Sequence, residues 1–175
     1  MTSTHFTIRA ITSEDIPSWR TLRHCLWPQA TADEHEREIA EMLSAPERYV
    51  VFMAFSKTKT PLGFAEASIR YDYVNGCDTS PVLFLEGIYV AVEARRRGIA
   101  KALFQFVERW GTSHACEEFA SDTDVGKVDV QALHHALGFE ETERVVFFRK
   151  RTSKAESARV NSSTHQDHAI ADQSP

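Results

Sequence analysis

Residues 82–104, VLFLEGIYVAVEARRRGIAKALF, restrict the possible folds more than any other stretch of the chain. Val82–Val90 is apolar at odd and even positions alike, the mark of a strand covered on both faces. After Gly98 the period changes: Ala102, Leu103, Phe106 and Val107 recur at helical spacing and form one apolar face. A doubly covered strand that feeds an amphipathic helix requires a layered domain with a sheet at its centre. The flanking sequence supplies the other elements. Strands are expected at Thr4–Ala10, Tyr49–Phe55, Leu62–Tyr71, Glu117–Ser121 and Arg144–Arg149. Helices are expected from Thr12 to Leu26, after Thr31 as far as Leu43, from Gly98 to Trp110 and from Val128 to Leu137, the last closed by Gly138. The order is βααβββαβαβ, a mixed α/β (α+β) class.

With 175 residues and 42% hydrophobic content the chain can bury one core, and no internal period divides it. Residues 1–152 are read as one domain. Beyond Thr152 the composition turns polar and aperiodic (KAESARVNSSTHQDHAIADQSP), so residues 153–175 are read as a flexible tail. Its His165 and His168 lack the further ligands a metal ion needs, and no metal site is expected. Twenty-five acidic residues against 20 basic give a net charge of -5, which excludes a general nucleic-acid surface and suits a cationic partner. Cys25, Cys77 and Cys116 form no Cys-x-x-Cys pair and read as small buried apolar residues. The N-terminus lacks the basic start and apolar stretch of a signal peptide, and no segment reaches the ~20 apolar residues that span a bilayer. A cytoplasmic protein without a membrane partner is expected.

Arg95, Arg96 and Arg97 lie between the central strand and the helix. The first turn of a helix has N–H groups without partners in the helix, and the helix dipole adds partial positive charge there. Three arginines at that end oppose the dipole unless an anion joins them. Gly98 lets such an anion approach the backbone, and guanidinium groups match phosphate oxygens, so the segment reads as a pyrophosphate cradle. A solvated basic loop is the alternative.

Arg95-x-x-Gly98-x-Ala100 behind a strand resembles the acetyl-CoA signature of the GNAT superfamily, and the likeness runs over about residues 5–150. Within that superfamily, LWP (26–28), GFAEASIRYDYVNGC (63–77), FLEGIYV (84–90), ASDT (120–123) and HALGFEETERVVFF (135–148) resemble the aminoglycoside 6'-N-acetyltransferases. The resemblance implies a GNAT fold. Its central sheet is mixed, mostly antiparallel and flanked by helices, and it splays between the strand ending near Val90 and the next. It implies that the backbone of Tyr89, Val90 and Ala91 pairs with the pantetheine arm of acetyl-CoA, and that Arg95, Arg96, Arg97, Gly98, Ile99 and Ala100 hold the pyrophosphate. Lys127 stands where the family usually has an asparagine facing the cofactor, and His134 where many members carry a tyrosine beside the CoA sulfur. A histidine there can donate a proton to the leaving thiolate, or simply pack.

On the acceptor side the resemblance implies direct transfer to an aminoglycoside amine in a ternary complex, without a covalent enzyme intermediate, and a homodimer in which Tyr73 reaches a neighbouring site. An amine must lose a proton before it attacks a thioester, and a polycation needs an acidic pocket. Glu86 stands in an otherwise apolar strand, where an unpaired carboxylate is costly, so it must face a cavity, a partner or a ligand. Asp122 ends a short strand at the edge where open α/β sheets place ligands, or else it caps a turn. Either of the two can be the base. The family match adds Glu143, Trp27 and Tyr73 to the acceptor site. An acetyltransferase for another small amine, such as a polyamine or peptide N-terminus, and a catalytically silent acetyl-CoA-binding regulator are the competing readings.

Overall fold

The computed structural model describes residues 6–151. Expectations for residues 1–5 and for the tail beyond Arg151 lie outside these described residues. Two units divide the chain, one ending at Glu143 and one starting at Arg144.

Five strands of the first unit form one sheet in sequential order: β1 (Phe6–Ala10), β2 (Tyr49–Ser56), β3 (Pro61–Arg70), β4 (Val82–Val90) and β5 (Glu118–Ser121). The first four pair antiparallel and β5 joins β4 in parallel, so the sheet is mixed and mostly antiparallel. The helices are α1 (Ile16–Leu26), α2 (Ala32–Ser44), α3 (Ile99–Ser113) and α4 (Val128–Ala136). α2 starts where Thr31 and Glu34 exchange bonds in a capping box. Trp27 and Pro28 follow the end of α1.

β2, β3 and β4 are apolar on both faces because helices cover both. Ile99, Leu103 and Val107 of α3 pack on Ala54, Ala65, Ala67, Leu83 and Leu85. Across the sheet, Trp19 and Leu22 of α1 and Ile39 and Met42 of α2 pack on Val51, Met53, Phe55 and Phe64. Each large side chain buried in these layers stabilises the fold by about 1.5–3 kcal/mol.

Two irregularities in the sheet prepare the site. β4 pairs with β5 only from Val82 to Leu85, so from Glu86 to Val90 it has no strand partner on that side among the described residues. This is the splay. The β3–β4 register also shifts: Glu66 faces Gly87 and Ala67 faces Leu85, which leaves Glu86 as the extra residue of a bulge. Bulges re-aim a side chain relative to its neighbours.

The strand expected at Arg144–Arg149 does not form. Residues 144–151 carry no regular structure, and Val146, Phe147 and Phe148 are 77%, 88% and 93% exposed. An apolar run becomes a strand only when a sheet edge takes its backbone groups, and no such pairing occurs within the described residues.

Candidate active site

A cleft of about 710 Å³ opens on the α1–α2 face of the sheet. Trp27 and Tyr73 supply aromatic surface, and Glu38, Glu41, Glu66, Asp72 and Glu86 supply five carboxylates against the guanidinium groups of Arg23, Arg48 and Arg70. The excess of acid favours a cation. Tyr73 is 79% exposed. The Trp27 ring lies over Gly87, where a methyl group would come within 2.6 Å of its Cζ2.

Two Arg–Glu pairs sit in this cleft. Glu86 Oε1 accepts from Ser68 Oγ, and Arg70 Nη2 donates to both carboxylate oxygens at 2.9 Å. Both side chains are partly open, at 36% for Arg70 and 29% for Glu86. Glu66 is buried. Its Oε1 accepts from Trp19 Nε1 at 2.6 Å and its Oε2 from Arg23 Nη1 at 3.2 Å, while Arg23 also bonds Glu38 and lies 4.8 Å from the Trp27 ring centroid. Burial pushes the Glu66 carboxyl up to about 7, and the attraction of Arg23 and the Trp19 N–H offset this only in part.

β4 leads from the cleft to the arginine loop. The Tyr89 ring is half-buried beneath Arg95, and burial together with the Cys25 thiol raises its hydroxyl, which therefore stays protonated. Arg95 Nε donates to the Val90 carbonyl at 3.0 Å, and the Ala91 amide donates to Leu62 on the β3 side. Arg95, Arg96 and Arg97 are exposed. Arg96 (φ 61°) and Gly98 (φ 79°) are left-handed, so the chain turns sharply before α3. Gly98 is the N-cap of α3 and offers no side-chain oxygen to the first turn, and the position of its missing Cβ has no atom within 4 Å. Ile99 is buried beneath the loop and Ala100 is half-buried. Uncapped N–H groups, open space and exposed guanidinium groups in one place fit the pyrophosphate of CoA.

The remaining sequence-derived residues lie outside the cleft lining. Asp122 is exposed directly after β5, Lys127 is exposed at the start of α4, and Glu143 is exposed at the end of the first unit. His134 is half-buried on α4, with Nδ1 2.8 Å from the Val130 carbonyl and its ring against Phe139. A carbonyl only accepts, so Nδ1 carries the proton. Nε2 is buried without a partner. In that neutral tautomer Nε2 is an acceptor, and it delivers a proton only as imidazolium.

The structure thus brings Trp27, Tyr73 and Glu86 together, and it adds residues that the sequence reading passed over. Glu66 is a lone carboxylate in an apolar strand, the same signal that singled out Glu86. Arg23 falls four residues after Trp19 and four before Trp27, a charge on the buried stripe of α1.

Among known families, the Acetyltransferase (GNAT) family matches residues 16–139. The aminoglycoside N(6')-acetyltransferase type 1 of Serratia marcescens is 49% identical over 137 residues, 78% of this chain and 93% of that protein. Its counterpart in Salmonella enteritidis is 50% identical over 144 residues, 82% of this chain and 98% of that protein. Among solved structures, AAC(6')-Iy in complex with the bisubstrate analogue CoA-S-monomethyl-acetylneamine superposes with a TM-score of 0.80 at 49% identity, covering 85% of this chain and 99% of that one. AAC(6')-Ih from Acinetobacter baumannii gives the same TM-score and coverage at 44% identity.

Proposed function

Because the chain belongs to the GNAT family of acetyltransferases, we infer that it is an aminoglycoside 6'-N-acetyltransferase, which moves acetyl from acetyl-CoA to the 6'-amine of these antibiotics and so confers resistance. The observation that carries this reading is the acidic, aromatic-walled cleft that meets β4 at Glu86, where the strand loses its partner. Glu38, Glu41, Asp72 and Glu86 attract the protonated amines of the drug, and Trp27 and Tyr73 offer apolar faces to its sugar rings. The β4 edge at Tyr89 and Val90, Ala91 after it, and the loop from Arg95 to Ala100 hold the cofactor, and Lys127 is a further residue assigned to it. Acetyl-CoA supplies an activated thioester. The 6'-ammonium gives up its proton to Asp122 or Glu86, directly or through water, and the neutral amine attacks. Among the described residues no cluster of His, Cys, Asp or Glu could hold a metal ion.

The same reading makes the enzyme a cytoplasmic homodimer. Support for the compartment comes from Cys25, Cys77 and Cys116, all free. Support for the dimer comes from the exposed Val145–Phe148 run, which a second copy can cover. None of the described helices is long and apolar enough to cross a membrane.

The test is thiol release from acetyl-CoA with a kanamycin-type drug, followed by NMR mapping of the product. Acetylation at the 6'-nitrogen is expected, and a matched 6'-hydroxyl analogue should not react, since a hydroxyl is the weaker nucleophile and lacks the charge that the cleft attracts. Dominant acetylation at another nitrogen, or equal rates on both drugs, overturns the assignment.

A further inference from the structure

Glu86 does not face the cleft alone. Arg70 Nη2 reaches both of its oxygens at 2.9 Å, Nε reaches Oε1 at 3.3 Å, and the guanidinium carbon lies 3.3 Å from the centroid of the Phe84 ring. An acceptor ammonium that seeks Glu86 therefore meets a carboxylate already held by a cation. The Arg23–Glu66 pair, at 3% and 2% exposure, is buried in the cleft floor, whereas the Arg70–Glu86 pair is a third open and stands in the cleft wall.

We propose that Arg70 is the resident counter-ion of the acceptor subsite: it holds Glu86 in the empty enzyme, yields it to the substrate's ammonium, and takes it back once that nitrogen is an uncharged amide. The inference rests on the acetyltransferase reading above. Partly exposed ion pairs are weak and screened, so exchanging one cation for another at Glu86 costs little. A polycation that also engages Glu41 and Asp72 supplies the difference. In the reaction the new N–C bond forms as the C–S bond breaks, sulfur leaves as the CoA thiol, and the starting ammonium gives up one further proton to solvent. The amide nitrogen then carries no charge and no longer competes for the carboxylate. Arg70, kept near by the Phe84 face, then restores the pair. A resident cation thus weakens substrate binding and reclaims the carboxylate once the nitrogen is acetylated.

Arg70→Met keeps a long side chain on Phe84 and removes the competing charge. Expected are a KM for the 6'-amino drug about three-fold lower, no loss in kcat/KM, and about three-fold tighter calorimetric binding of the drug, with binding of its 6'-acetylated product, whose amide does not compete for Glu86, little changed. In a Glu86→Gln background the same substitution should change nothing, because the contested carboxylate is gone. Arg70→Lys, which keeps the charge, should stay near wild type. A KM that rises or stands still, a fall in kcat/KM, or an equal effect in the Gln background overturns the proposal and makes Arg70 a support that orients Glu86. If thermal melts show that the Met variant misfolds, Arg70→Gln answers the same question. Drug binding without acetyl-CoA is measurable even if the wild type fails to acetylate the drug, so that failure would strike the proposed function and leave the counter-ion test standing.

Discussion

The two sides of β4 are assembled in opposite ways. On the proposed cofactor side, the groups run almost consecutively from Tyr89 to Ala100, on one strand end, one turn and one helix start. On the acceptor side, the cleft takes Arg23 and Trp27 from α1 and its end, Glu38 and Glu41 from α2, Glu66 and Arg70 from β3, Asp72 and Tyr73 from the following loop, and Glu86 from β4. Local chemistry fixes the first, because the α3 donors exist wherever a helix begins uncapped. Tertiary packing fixes the second, since no charge in the cleft has its partner in the same turn. Substitutions on the first side should therefore act on one ligand with little effect on the fold, and those on the second should spread into stability and neighbouring side chains.

The largest effect is expected at Gly98. Gly98→Glu places a carboxylate where the cradle must accept pyrophosphate, and calorimetry should find acetyl-CoA binding abolished. Open space at the missing Cβ limits the damage to the fold to the left-handed strain of about 1–2 kcal/mol. Unchanged affinity in a folded variant would remove the loop from the cofactor site. Asp122→Asn comes next. It keeps the shape of an exposed residue and deletes a base, so kcat should fall about a hundred-fold at constant melting temperature. Activity near wild type would shift the proton to Glu86 or to water.

The same contrast decides what could be read from the sequence. Strands β1 to β5, the four helices and the Gly98 turn were legible because period and capping are local. The segment Arg95 to Ala100 could be singled out because its residues are adjacent. Glu86 stood out as a charge in an apolar strand. Glu66 did not, although its setting is the same, because the resemblance gave Glu86 a role and gave Glu66 none. The partner of each carboxylate was out of sight: Arg23 is 43 residues from Glu66 and Arg70 is 16 from Glu86. Nothing in a one-dimensional pattern sets those distances. The Arg144–Arg149 strand was misjudged for a related reason, since apolar spacing describes what a segment can pair with and not whether an edge is there to receive it.

Arg23→Met tests the buried half of the acceptor side. It strips Glu66 of its cation, and breaking a buried pair commonly costs about 3–5 kcal/mol. Here the loss should depend on pH. The folded Glu66 carboxyl lies near 7 against 4.5 for the free side chain, so its contribution to stability is complete below about 4.5 and fades as pH rises through about 7. Without Arg23 the carboxyl is pushed higher still, and below that range it can take up a proton in place of its lost partner. Thermal melts should therefore show a large loss at pH 8 and a small one at pH 5.5, and Glu66→Gln should flatten the wild-type slope across this window. Equal losses at both pH values would mean that Glu66 stays charged whatever its neighbours do.

Gly87→Ala is the smallest change and the one that best separates the two sides, because this residue belongs to both. It lies in the stretch of β4 that β5 does not pair, between Glu86 and Tyr89, the residues proposed for acceptor and cofactor. Its missing side chain is space already filled from the cleft: an added methyl would collide with Trp27 Cη2 and come within 2.6 Å of Trp27 Cζ2 and 3.0 Å of Leu26 Cδ2. Neither can stay. The indole is also held by the Arg23 guanidinium, so displacing it pulls on a charge that Glu66 and Glu38 anchor. Overpacking of this kind costs about 1–3 kcal/mol, and here it should appear as a rise of about five- to ten-fold in the drug's KM, with kcat little changed. Acetyl-CoA affinity should hold, since the strained atoms lie on the α1 side and the arginine loop is untouched. If acetyl-CoA binding weakens by as much as drug binding does, the strand transmits strain along its own backbone. The division between a local cofactor cradle and a packed acceptor wall would then fail at the residue where the two meet.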